Sequence, residues 1–165
     1  MRSINRLFVL LFAAGFVLPM MGFGQKGRVR KVDTAMYAII RYDSAKLGRM
    51  RTEFFHSRAA DLSPAAVDSM EGLVRKAYAE YQARHTGQFR LFPLRKYRRQ
   101  YVAVVDEHGQ KLVLLNCFYE PDLSHDDAGW RQELYQVLDG RPTIFQLVID
   151  PTEKKAGQIG INGFG

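Results

Sequence analysis

The chain has 165 residues with a single cysteine, 24 Lys and Arg against 17 Asp and Glu, and a formal charge of +7. One cysteine excludes an internal disulfide scaffold, and 47% hydrophobic residues exclude a chain too polar to fold. The basic balance points to anionic surfaces, acidic glycans or acidic proteins as partners.

Arg2 and Arg6 precede an apolar run from Leu7 to Leu18, and Gly22-Phe23-Gly24 supplies the small residues that a signal peptidase requires. Residues 1–24 therefore read as a signal peptide cut near Gly24-Gln25. Pro19 and three glycines weaken the alternative of a membrane anchor. Cleavage leaves 141 residues with a charge of about +5, enough for one domain with its own core. Residues 25–60 form an N-terminal segment and 61–165 an α+β domain. Nucleic acid is not expected as a partner of an exported chain, and membrane contact is expected only through an uncleaved signal segment.

Gln25–Lys31 is a basic leader, and Ala35–Tyr42 is rich in strand formers but could also open a helix. Lys46–Ala60 has no clean period; Phe54 and Phe55 are expected to plug the core from a loop or a short helix. Ser63-Pro64 is a helix start: serine accepts from free first-turn amides, and proline lacks the donor that would be orphaned. Val67, Met70, Val74, Ala77, Tyr78 and Tyr81 then recur every three or four residues, with Asp68, Glu71, Arg75 and Glu80 between them. The spacing predicts an amphipathic helix of about six turns ending near Thr86-Gly87.

Strands are predicted at Tyr101–Val105 and Lys111–Tyr119 around the turn Asp106–Gly109, then at Thr143–Ile149 and Gln158–Asn162. Further turns are expected at Asp139-Gly140 and Pro151–Ala156. This order implies one long amphipathic helix across a curved antiparallel sheet of about four strands, in a single domain. If the helix covers Val113, Leu115, Cys117, Phe145 and Leu147, then Val102, Val104, Leu112, Leu114, Phe118, Ile144 and Val148 face away from it. That second face is too apolar for water. Residues 25–60, a second copy or a ligand should cover it, and Val104, Leu114 and Phe118 would form the interface of a homodimer.

The densest chemical feature is the stretch Arg95, Lys96, Tyr97, Arg98, Arg99 and Tyr101, with Arg90 before it. Cations among aromatics suit anionic ligands, although the same charges also protect an edge strand from aggregation. Strand alternation sends Lys96, Arg98 and Gln100 one way and Tyr97, Arg99 and Tyr101 the other, which argues against one continuous patch. Cys117 sits in an apolar run and reads as a small buried hydrophobe. Asp122, His125, Asp126 and Asp127 read as a solvated acidic loop rather than a metal site. Glu120 and Asp122 form no recognisable acid–base pair, and nothing calls for a cofactor.

The landmarks Tyr97-Arg98-Arg99-Gln100-Tyr101, Gly109, Lys111, Leu115-Asn116-Cys117-Phe118, Trp130, Val137-Leu138-Asp139-Gly140, Phe145 and Ile161-Asn162-Gly163 resemble a set of small exported bacterial proteins without assigned function. The likeness covers about residues 60–165. That group usually has two glycines after the aspartate, where this chain has Gly140-Arg141. The helix-then-sheet order also looks like cystatin-like and nuclear-transport-factor-like folds, a topological likeness only; the Gln-x-Val-x-Gly loop of cystatin-type inhibitors is missing. Together these features imply an exported, non-catalytic binding module for an anionic envelope component or a partner protein. The alternatives are a small hydrolase-like enzyme with dispersed polar residues, and a self-associating structural subunit.

Overall fold

Helix α2 (Pro64–Arg84) begins as the sequence requires: the Ser63 side chain accepts from the Ala66 amide at 3.2 Å, and Pro64 occupies the first turn. In this computed structural model, residues 32–47, 54, 56–122, 128–136 and 140–161 are described. The expected signal segment, the basic leader, Phe55, most of the acidic loop and the Asp139 turn position lie outside the described residues.

The remaining elements are β1 (Tyr37–Ile39), α1 (Ser44–Leu47), β2 (Arg58–Ala59), β3 (Tyr97–Val105), β4 (Lys111–Tyr119), β5 (Ile144–Asp150), β6 (Lys155–Ala156) and β7 (Gly160–Ile161). Strands β3, β4 and β5 form an antiparallel centre, with Tyr101 opposite Leu115 and Leu115 opposite Leu147. Asp106 closes the β3–β4 turn by accepting from the amides of His108 and Gln110, and Gly109 takes φ +81°. On the outer edge of β5, β6 and β7 pair with different parts of the strand. On the outer edge of β3, β1 runs parallel along Arg99–Tyr101, and β2 returns antiparallel beside Val104 and Val105.

The sheet is thus mixed and has seven strands, which corrects the expectation of about four strands, all antiparallel. The additional pairings come mainly from strands of two or three residues, too short to carry a period of two. β3 also begins four residues earlier than expected, at Tyr97.

The two sheet faces support two cores. On one, Val67, Met70 and Val74 of α2 pack over Tyr101, Val113, Leu115, Cys117, Phe145 and Leu147. On the other, Val102, Val104, Leu114, Phe118 and Ile144 are covered by Ala38, Ile40, Tyr42, Leu47, Phe54 and Trp130. Phe54 is fully buried there, and its carbonyl accepts from the Tyr42 hydroxyl.

The chain itself therefore closes the face that was expected to need a cover, through residues 38–47, Phe54 and Trp130. Val104, Leu114 and Phe118 are at most 1% exposed, so these three are core residues and not an open dimer interface. Segment 128–136 lies on this face because the sheet offers it partners. Gln100, Asn116 and Gln146 stand in register across β3, β4 and β5. Their amides bond to one another, and Gln100 and Asn116 donate to the carbonyls of Trp130, Glu133 and Tyr135. No helix among the described residues is long and apolar enough to cross a membrane.

Candidate functional site

The alternation of β3 divides the basic-aromatic stretch between the two faces. Arg98 points to the second face, where it pairs with Glu120 at 2.9 Å and its guanidinium carbon lies 4.9 Å from the Trp130 ring centre. Lys96 is exposed, with its ammonium 6.0 Å from the Tyr119 ring centre. Tyr97 and Tyr101 are fully buried, which corrects their reading as ligand-stacking aromatics. The Tyr97 hydroxyl accepts from the Phe92 amide and donates to the Pro142 carbonyl.

Arg95 and Arg99 instead meet the middle of α2 at a cleft of about 420 Å³. Its walls are the turn Thr34–Met36 with the preceding Val32 and Asp33, the α2 residues Glu71 and Arg75, and the segment from Leu94 into β3. Four hydrogen bonds hold the N-terminal wall in place. The Val32 amide donates to Asp68 of α2 at 2.9 Å, and Arg131 donates to the carbonyls of Thr34, Ala35 and Tyr37. Arg131 also stacks 4.5 Å from the Trp130 ring centre, so the cover of the second core braces this wall.

The floor is a buried polar triad. Arg99 Nη1 donates to Glu71 Oε1 at 2.6 Å, and the Tyr101 hydroxyl donates to the same oxygen at 3.0 Å. The pair is 9% and 4% exposed at the side chains, deep enough that each charge depends on the other. Arg99 Nη2 reaches the Leu94 carbonyl at 3.4 Å, while its buried Nε has no hydrogen-bond partner among the described residues. Above the floor, Arg75 and Arg95 are exposed and have no acidic partner among the described residues. The site is therefore a neutralised ion pair beneath two guanidinium groups that form no ion pair among the described residues, and with Asp33 on the wall the lining keeps a net positive charge.

Neither the Tyr101 phenol nor the Cys117 thiol is primed for proton or acyl transfer. Burial, then the Glu71 charge, raises the Tyr101 phenol well above its usual value. Burial also raises the Cys117 thiol far above the ordinary range, against a smaller opposing effect of Arg99. Among the described residues no cluster of His, Cys, Asp and Glu could hold a metal ion. A slightly larger cleft, of about 470 Å³, lies between residues 40–47 and 132–134 on the other face. Its Lys46 and Glu133 already satisfy each other at 3.0 Å, so it offers less net charge to a ligand.

Sequence reasoning placed Arg99 and Arg95 among the candidates but missed Glu71 and Arg75, which it assigned to a solvated helix face. The signal was available. Glu71 is four residues after Val67 and three before Val74, inside the apolar stripe, and Arg99 shares the inward parity of Tyr97 and Tyr101. An acid and a base both aimed at one core had to pair. No family model, curated protein or solved structure matches the chain.

Proposed function

We propose that this is an exported, non-catalytic binding module that receives an anionic group, carboxylate or phosphate, of an envelope component in the cleft above Glu71 and Arg99. Residues 1–24 direct export and are removed near Gly24-Gln25. The observation that carries the reading is the pair of exposed guanidinium groups, Arg75 and Arg95, on the rim of a cleft whose only buried carboxylate among the described residues is already held by Arg99 and Tyr101. A guanidinium presents a planar fork of donors that matches the two oxygens of a carboxylate or phosphate. Rim placement lets both arginines reach the ligand without losing an internal partner.

Binding is favoured over turnover because the buried phenol and thiol beside the site keep their protons at neutral pH. Self-association loses its motive, since the chain covers its own second sheet face. Calorimetric titration with an oligogalacturonate and with inorganic phosphate tests the reading. Arg75→Ala combined with Arg95→Ala should weaken binding of the preferred anion by at least about tenfold, in line with loss of two charge-assisted contacts. Equal affinity in parent and variant would refute it.

A further inference from the structure

We propose that the segment Gly87–Lys96, between α2 and β3, docks the protein on an anionic bilayer surface. The surface extends beyond the cleft, sharing Leu94 and Arg95 with its rim, and does not require a ligand bound there. From Tyr81 to Val105 the sequence contains no acidic residue but six cations, Arg84, Arg90, Arg95, Lys96, Arg98 and Arg99. Arg84, Arg98 and Arg99 are paired with Glu80, Glu120 and Glu71. Arg90, Arg95 and Lys96 are exposed, with no acidic partner among the described residues.

The same segment carries two of the three exposed large hydrophobic side chains among the described residues, Phe89 at 39% and Phe92 at 36%. Phe92 stacks on Tyr119 with ring centres 4.2 Å apart, and Lys96 lies over that same ring. Aromatic and cationic groups thus share one patch.

Several backbone groups of the segment are satisfied from within the protein. Tyr81 donates to the Phe89 carbonyl, Tyr78 to the Phe92 carbonyl and Gln82 to the Leu91 carbonyl. The Leu91 amide donates back to Gln82, and the Phe92 amide donates to Tyr97. Buried Leu91 pins the centre of the segment to the core. These polar groups therefore lose little when the surface leaves water, which is the main obstacle to seating a loop among lipid headgroups. Phenylalanine has no hydrogen-bonding group, so its exposed rings gain by entering the boundary between headgroups and acyl chains. A hydrated polyanion gives them no such gain. Cations beside apolar rings are the composition of a headgroup-level docking surface.

The test uses the full chain with Phe92→Trp, and separately Phe89→Trp, as fluorophores; Trp130 is 4% exposed and provides a constant background. Vesicles of brominated phosphatidylglycerol should quench the new tryptophan. Vesicles of brominated phosphatidylcholine should not, which controls for charge-independent anchoring through Leu7–Leu18. Arg90→Ala and Lys96→Ala should each raise the half-saturating lipid concentration about fivefold. Phe89→Ser in the Phe92→Trp chain should raise it roughly fivefold, allowing for a ring that is only partly exposed beforehand. Arg75→Ala, in the cleft, should leave it unchanged, which separates this surface from the proposed ligand site.

Equal quenching by the two lipids, or none at either position, would overturn the proposal. So would a Phe89→Ser effect on dextran sulfate binding as large as that on vesicles, which would make the patch a polyanion site.

Discussion

Replacing Glu71 by Gln removes one charge from the floor of the cleft and little else. The amide oxygen can still accept from Tyr101, but the Arg99 guanidinium, 8% exposed, loses its counter-charge while Arg75 and Arg95 line the same cleft. Breaking a buried pair in this way costs about 3 kcal/mol or more, because the surviving charge stays desolvated. Arg99→Met should cost a similar amount by stranding the carboxylate. The double variant Glu71→Leu with Arg99→Met leaves no buried charge and removes partners only from the Tyr101 hydroxyl and, through a long 3.4 Å contact, the Leu94 carbonyl, so its loss should be about 1 kcal/mol. Urea unfolding at pH 7, followed through Trp130 fluorescence, reads all three chains. Each single variant should shift the midpoint by about 1–3 M and the double by less than either. Single-variant losses below about 1 kcal/mol would show a solvent-screened pair, and a double-variant loss larger than that of either single would show two independent groups. Either result would refute a coupled, buried floor.

Alkaline pH should destabilise the fold. The folded state holds the Cys117 thiol and Tyr101 phenol protonated, above their usual values of 9.0 and 10.0, while the unfolded chain releases both protons. Their contribution is complete below pH 9. Above its ordinary value, each group then removes about 1.4 kcal/mol of stability per pH unit. Urea midpoints at pH 8, 10 and 11 check the slope, and a flat profile would contradict it. The same burial predicts that iodoacetamide labels Cys117 at pH 8 only after unfolding. Asn116→Leu should cost about 1–3 kcal/mol, since it removes three hydrogen bonds, those to the Gln100 amide oxygen and the Tyr135 carbonyl and the one accepted from Gln146. Hydrogen exchange at residues 128–136 should quicken in that variant, and unchanged protection there would show that the amide row does not hold the segment.

Features set by local periodicity and turn chemistry were readable in advance. Ser63-Pro64 and the stripe from Val67 to Tyr81 define α2, and the Asp106–Gly109 turn fixes the register of β3 against β4. The assignment of side chains to the two faces followed from alternation and holds at each position named for both sets. Strand β1 was less legible because three residues carry almost no pattern, and its partner Arg99–Tyr101 lies some sixty residues downstream. The cover by Trp130 and Tyr135 was hidden for another reason: the segment is irregular, and side-chain amides of other strands fix it. Gln100, Asn116 and Gln146, polar residues within apolar strands, were its only trace. The cleft was half legible, since alternation aimed Arg99 inward but Glu71 was counted among the solvated charges.

The most direct test of the cleft is a map of backbone amide shifts during titration with oligogalacturonate or phosphate. The account expects saturable shifts concentrated at Asp33–Met36, Glu71–Arg75 and Leu94–Arg99, and their loss in the Arg75→Ala, Arg95→Ala chain. Shifts gathered instead at Tyr42–Leu47 and Gln132–Leu134, or unaltered in that variant, would place recognition elsewhere and contradict the central claim.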